Sequence, residues 1–66
     1  MQLIVNGAQM DADEGTSVAE LVDARAEGRR WVAVARNGDV VPRDLWASTV
    51  VRDGDSVEIL VPTAGG

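Results

Sequence analysis

The sequence predicts an α+β domain: one sheet of four to five strands with one main helix, at about residues 18–27, packed across one face. Three observations carry this. Asn-Gly pairs at 6–7 and 37–38 each sit between apolar stretches, the strongest two-residue hairpin signal. Between the two hairpins, Ser17-Val18-Ala19-Glu20 opens a stretch with helical apolar spacing. Near the two ends of the chain, Leu3-Ile4-Val5 and Ile59-Leu60-Val61 are apolar at consecutive positions. Such runs mark strands covered on both faces, or at least strands at the sheet centre. The first and last strands are therefore expected inside the sheet and beside each other.

Gln2-Leu3-Ile4-Val5 is the first strand, and residues 8–13 return from the turn with Met10 and Ala12 on one face. This second strand is weakly apolar and reads as an edge, which Asp11 and Asp13 protect from further pairing by their charge. Glu14-Gly15-Thr16 is a turn. Ser17 and Glu20 then fit a capping box, in which the Ser17 hydroxyl accepts from the Glu20 amide and the Glu20 side chain reaches back. Val18, Leu21 and Val22 form the apolar stripe, Ala24 and Ala26 favour helix, and Gly28 stops it. A helix of ten residues is about 15 Å long.

Residues 31–36, from Trp31 to Arg36, are small or β-branched enough for a strand, and residues 39–41 return after the second Asn-Gly. Pro42 ends that strand. Arg43-Asp44-Leu45-Trp46 lacks strand alternation and reads as one helical turn or a tight loop. Val50-Val51 is a brief extended piece, and Asp53-Gly54-Asp55 is a turn, too short for a calcium loop. Residues 56–61 form the last strand, which closes a domain of residues 1–61. Residues 62–66, Pro62-Thr63-Ala64-Gly65-Gly66, form a flexible tail. Trp46 and Trp31 are expected to pack in the core, and Arg43 either pairs locally or meets a partner. A single helix covers one sheet face only, so the other keeps apolar residues in solvent, a candidate partner surface.

Composition removes most catalytic classes. There is no Cys and no His, so no disulfide framework, no zinc cluster and no histidine-based triad. Thr16, Ser17, Ser48, Thr49, Ser56 and Thr63 are the hydroxyl nucleophiles, with no histidine to activate them. The carboxylate pairs Asp11/Asp13 and Asp53/Asp55 have little room for a cleft in so small a domain. Self-contained catalysis is not expected, and neither is a bound metal or cofactor. The net charge of −5 argues against a nucleic-acid backbone as partner and suits steering toward a basic protein surface. No membrane span or secretory leader is read in the sequence, so a cytoplasmic location is expected.

The last residues, Gly65-Gly66, are the one place left for chemistry. Two glycines pack poorly as the end of a structural element. They suit a tail whose terminal carboxylate enters a narrow slot in another protein, because backbone without Cβ can be gripped from all sides. Five residues from Pro62 reach at most about 17 Å when extended.

Asn6-Gly7, Ser17-Val18-Ala19-Glu20-Leu21, Val34-Ala35-Arg36-Asn37, Val41-Pro42-Arg43 with Trp46 three residues on, Asp53-Gly54-Asp55 and Ala64-Gly65-Gly66 occur in an order and spacing that resembles the ThiS family. These are the sulfur carriers of thiazole formation in thiamine biosynthesis. The resemblance covers the whole chain. It implies a ubiquitin-like β-grasp fold with a mixed sheet, its first and last strands parallel at the centre. It implies that an E1-like adenylyltransferase of the ThiF type, using ATP and magnesium, adenylates the carboxylate of Gly66. Sulfur from a cysteine desulfurase or another donor then gives a thiocarboxylate, and a thiazole synthase of the ThiG type takes the sulfur. Thr63, Ala64 and Gly65 would be gripped as the tail enters the partner. The competing readings are a molybdopterin synthase small subunit, a carrier for cysteine synthesis or tRNA thiolation, a ubiquitin-like protein modifier, and a plain β-grasp interaction domain. Lacking Lys, a modifier of this sequence could not build isopeptide-linked polymers on itself except through its amino terminus.

Overall fold

Two strands that bracket the chain lie side by side in the computed structural model, which describes residues 1–25 and 32–60. The elements follow the order β1 (Gln2–Val5), β2 (Ala8–Asp11), α1 (Val18–Arg25), β3 (Ala33–Arg36), β4 (Asp39–Val41), a 3-10 turn (Arg43–Leu45) and β5 (Ser56–Leu60). The five strands form one sheet in the order β2-β1-β5-β3-β4. β1 and β5 are parallel, with Ile4 opposite Ser56 and Val5 opposite Val57. The other three pairings are antiparallel. The sheet is therefore mixed, with β5 at its centre and the weakly apolar β2 at an edge.

Both hairpins turn for one reason. Asn6 and Asn37 each adopt φ 51°, and Gly7 and Gly38 follow at 82° and 86°. Two successive positive φ values match the right-handed twist of the flanking strands, and Asn-Gly is the pair that tolerates them. β2 ends at Asp11, two residues before the expected end. There the Asp13 carbonyl accepts from both the amide and the hydroxyl of Thr16, which turns the chain toward the helix.

The start of α1 leaves no amide unpaired. The Glu20 amide donates to the Ser17 hydroxyl oxygen at 3.2 Å, and the Ser17 amide donates to Glu20 Oε1 at 3.2 Å, so the capping box is formed. The Val18 and Ala19 amides, which a helix cannot satisfy internally, donate to the carbonyls of Thr49 and Trp46. The 3-10 turn and the loop after it thus close over the helix N-terminus. Ala26 and Glu27, the expected last residues of the helix, lie outside the described residues, as do Trp31 and Val61.

The core lies between α1 and one sheet face. Val18, Leu21 and Val22 of the helix meet Leu3, Val5, Val34, Val57 and Ile59 of the sheet, with Trp46 and Val51 from the long connection. Met10 and Ala12 pack at its edge as expected. Trp46 is a core residue, and its indole Nε1 donates to the Val41 carbonyl at 2.9 Å. The Arg43 guanidinium lies over that ring, 5.7 Å from its centre. The continuous apolar runs correctly marked central strands, but not strands covered twice. Leu3 and Val5 face the helix, whereas Ile4 and Leu60 are 41% and 61% exposed on the open face.

Candidate functional site

The residues expected to carry the chemistry, Gly66 with Gly65, Ala64 and Thr63, lie outside the described residues, as does the proposed boundary at 61/62. The structure describes the platform that precedes them. β5 is hydrogen-bonded between β1 and β3 and is described as far as Leu60, six positions before Gly66. On the open face, Leu60 stands opposite Ala33, and Glu58 opposite Ala35. Ala35 in turn faces Val40, which is 76% exposed. Leu60, Ala33, Ala35 and Val40 thus form an apolar stripe across three strands, interrupted by Glu58. Ile4 adds a second apolar point beside Ser56. The exposed apolar face expected from a one-helix architecture is present, and it adjoins the last described residue before the tail.

The start of β5 is held by charge. Asp55 is 7% exposed, yet its carboxylate is fully used. Oδ2 accepts from Arg36 Nε at 2.7 Å and from the Arg52 amide at 2.8 Å, and Oδ1 accepts from Asn37 Nδ2 at 3.0 Å. Burial pushes this carboxyl up. Bonds from Asn37, Arg36 and the Arg52 amide, with the Arg36 charge, outweigh burial and hold it below the ordinary aspartate value. Asp55 therefore favours its charged form and ties the β3–β4 turn to the entry of β5.

Two asparagines clasp β5 as well. Asn37 Oδ1 accepts from the Ser56 amide at 2.9 Å. Asn6 Oδ1 accepts from the Ile59 amide at 2.7 Å, and Asn6 Nδ2 donates to the Ile59 carbonyl at 3.1 Å. Sequence reasoning took both asparagines only as turn formers. Their turn positions were legible, but their partners lie 53 and 19 residues away along the chain.

The other polar candidates serve the backbone. Asp53 Oδ1 accepts from the Gln2 amide, and Asp11 Oδ1 accepts from Gln2 Nε2 at 3.4 Å. The hydroxyls of Ser48 and Thr49 both donate to the Leu45 carbonyl. Among the described residues, no group of three or more acidic side chains could hold a metal ion. None of the described helices is long and apolar enough to cross a membrane.

Comparison with known proteins is consistent throughout. The ThiS family model matches residues 3–66. The chain is 35% identical over 66 residues to the sulfur carrier protein ThiS of Escherichia coli K12, covering all of both chains. It is similar, at 39% identity and a TM-score of 0.81, to the crystal structure of the thiamine biosynthesis protein ThiS of Geobacter metallireducens, again over the whole of both chains. It is also 35% identical to part of a thiazole synthase of Paramagnetospirillum magneticum, where it spans 20% of that protein.

Proposed function

The chain belongs to the ThiS family, the β-grasp sulfur carriers of thiamine biosynthesis, and from that premise we propose that its working group is the terminal carboxylate of Gly66. The end-to-end identity with a sulfur carrier is the observation that carries this reading. It favours the thiazole carrier over the molybdopterin, cysteine and tRNA-thiolation carriers, and over a protein modifier.

The chemistry follows from the carboxylate itself. A terminal carboxyl titrates near pH 3.5 and is ionised at neutral pH, so a sulfur nucleophile will not attack it. An E1-like adenylyltransferase of the ThiF type supplies ATP and magnesium. It joins the carboxylate oxygen to the α-phosphorus and releases pyrophosphate. The acyl adenylate then has a good leaving group. The terminal sulfur of a persulfide, from a cysteine desulfurase or another donor, attacks the acyl carbon and expels AMP. A second thiol reduces the acyl disulfide and frees the thiocarboxylate. A thiazole synthase of the ThiG type takes the sulfur, and the match within a thiazole synthase supports that pairing. All of this takes place in the cytoplasm.

The body contributes docking. The apolar stripe around Leu60 and Val40 meets the adenylating partner, while residues 63–65 pass into its slot. Docking raises the local concentration of Gly66 at the reacting centre. The test is intact-mass spectrometry after incubation with a ThiF-type enzyme, ATP and a sulfur donor. The expected product is heavier by the difference between one sulfur and one oxygen. Deletion of Gly66, or one residue added after it, abolishes the product. An unmodified wild-type chain in the presence of its matching partner sinks the reading.

A further inference from the structure

We propose that Asn6 is a positioning residue for the tail reaction: its side-chain amide replaces the missing backbone rung on β5 and holds Ile59 on the β1 side. This rests on the reading of Gly66 as the activated group. β1 and β5 run parallel, and the ladder reaches the Asn6 amide, which donates to the Val57 carbonyl at 2.9 Å. The next rung of a parallel ladder would come from the backbone beyond Asn6. That backbone is already gone, since Asn6 and Gly7 turn it into β2 at φ 51° and 82°. Ile59 would be left with its amide and carbonyl unpaired on that side. A primary amide carries the same donor and acceptor as a peptide group, and Asn6 presents both to Ile59, at 3.1 Å and 2.7 Å.

Glycine and aspartate also suit such a turn, but only asparagine can pair with both groups of Ile59 at once. The counterpart at the second hairpin sharpens the point. Asn37 has the same φ of 51°, yet it holds Ser56, at the start of β5. Asn6 holds the exit, one residue before Leu60 and seven before Gly66. Without that hold, the end of β5 keeps only its pairing to β3, Val34 with Ile59 and Ala33 with Leu60. Leu60, exposed on the docking stripe, is then anchored through β3 alone. That looser hold raises the carrier KM about threefold to tenfold and leaves kcat alone, because the docked chain reacts as before.

The experiment compares wild type, Asn6→Gly, Asn6→Asp and Asn37→Gly. It measures ATP–pyrophosphate exchange with the ThiF-type enzyme of the same organism, melting curves, and amide hydrogen exchange by NMR. Asn6→Gly keeps the turn and loses the clasp. It is expected to raise KM threefold to tenfold at unchanged kcat, and to speed Ile59 exchange at least tenfold relative to Val34. Asn6→Asp keeps the acceptor and loses the donor, so it stays folded with a KM rise of about twofold. Asn37→Gly is expected to lower the melting temperature with KM within twofold of wild type. Unchanged KM in Asn6→Gly, or an equal rise in Asn37→Gly, overturns the positioning role. Absence of exchange in wild type overturns the activation reading beneath it.

Discussion

The two faces of the sheet differ more than any other two regions of this molecule. Leu3 and Ile4 are neighbours on one strand, yet Leu3 is 1% exposed and Ile4 41%. The helix-covered face is a continuous apolar layer. The open face mixes Ile4, Leu60 and Val40 with Gln2, Ser56 and Glu58 along the same strands. A domain of this size has one helix to spend on one face, so the covered side carries most of the apolar burial and the open side stays in solvent. Apolar residues on the open side contribute little to folding, which points to a use other than stability.

The sharpest way to break that contrast is Leu3→Ala against Ile4→Ala. Leu3→Ala empties the covered face and is expected to cost about 2–5 kcal/mol. That approaches the whole stability of a 66-residue domain, about 3–10 kcal/mol at typical values per residue. Ile4→Ala is expected to cost under about 1 kcal/mol. Urea unfolding followed by circular dichroism separates the two, and equal losses would show that the open face is also structural.

The next effect lies at the rim where the faces join. Asp55→Ala leaves the Arg52 amide and the Arg36 guanidinium without their acceptor, at a cost of about 2–3 kcal/mol. The same residue gives a pH signature. Its carboxyl titrates lower in the folded chain than in the unfolded one. Its stabilisation is therefore complete above about pH 4, near the unfolded aspartate value, and is lost as pH falls through the folded value. Unfolding midpoints measured from pH 7 down to pH 3 should show a decline that Asp55→Asn makes shallower.

The smallest stability effect belongs to the open face. Leu60→Ser is expected to leave stability within about 0.5 kcal/mol of wild type. It is also expected to raise the carrier KM in adenylation about tenfold, as loss of an apolar anchor at an interface does. A Leu60→Ser chain with normal KM would remove the stripe from the docking surface.

Much of this was legible along the chain, and the pattern of what was not is informative. Asn-Gly turns, the Ser17–Glu20 capping box, the short turn at Arg43 and the edge character of β2 are set by residues within a few positions of one another. Each appears in the structure within two residues of its expected place, where it is described. The apolar runs located the central strands but could not say which side chain of each run faces the helix, since that depends on register against a partner strand. The clasp of Asn6 on Ile59 and the three-way use of Asp55 were hidden for the same reason. Nothing in Asn6-Gly7 signals a carbonyl 53 residues away.

By itself, then, the sequence determined the elements, the absence of histidine and cysteine chemistry, and the Gly65-Gly66 ending, because these depend on residue type and local geometry. Only the tertiary structure decided that β5 lies between β1 and β3 with its exit held by a side chain from the first turn. It also decided that Leu60 faces solvent while Ile59, beside it, faces the core. Those outcomes rest on long-range strand pairing, in which a shift of one residue exchanges the two faces.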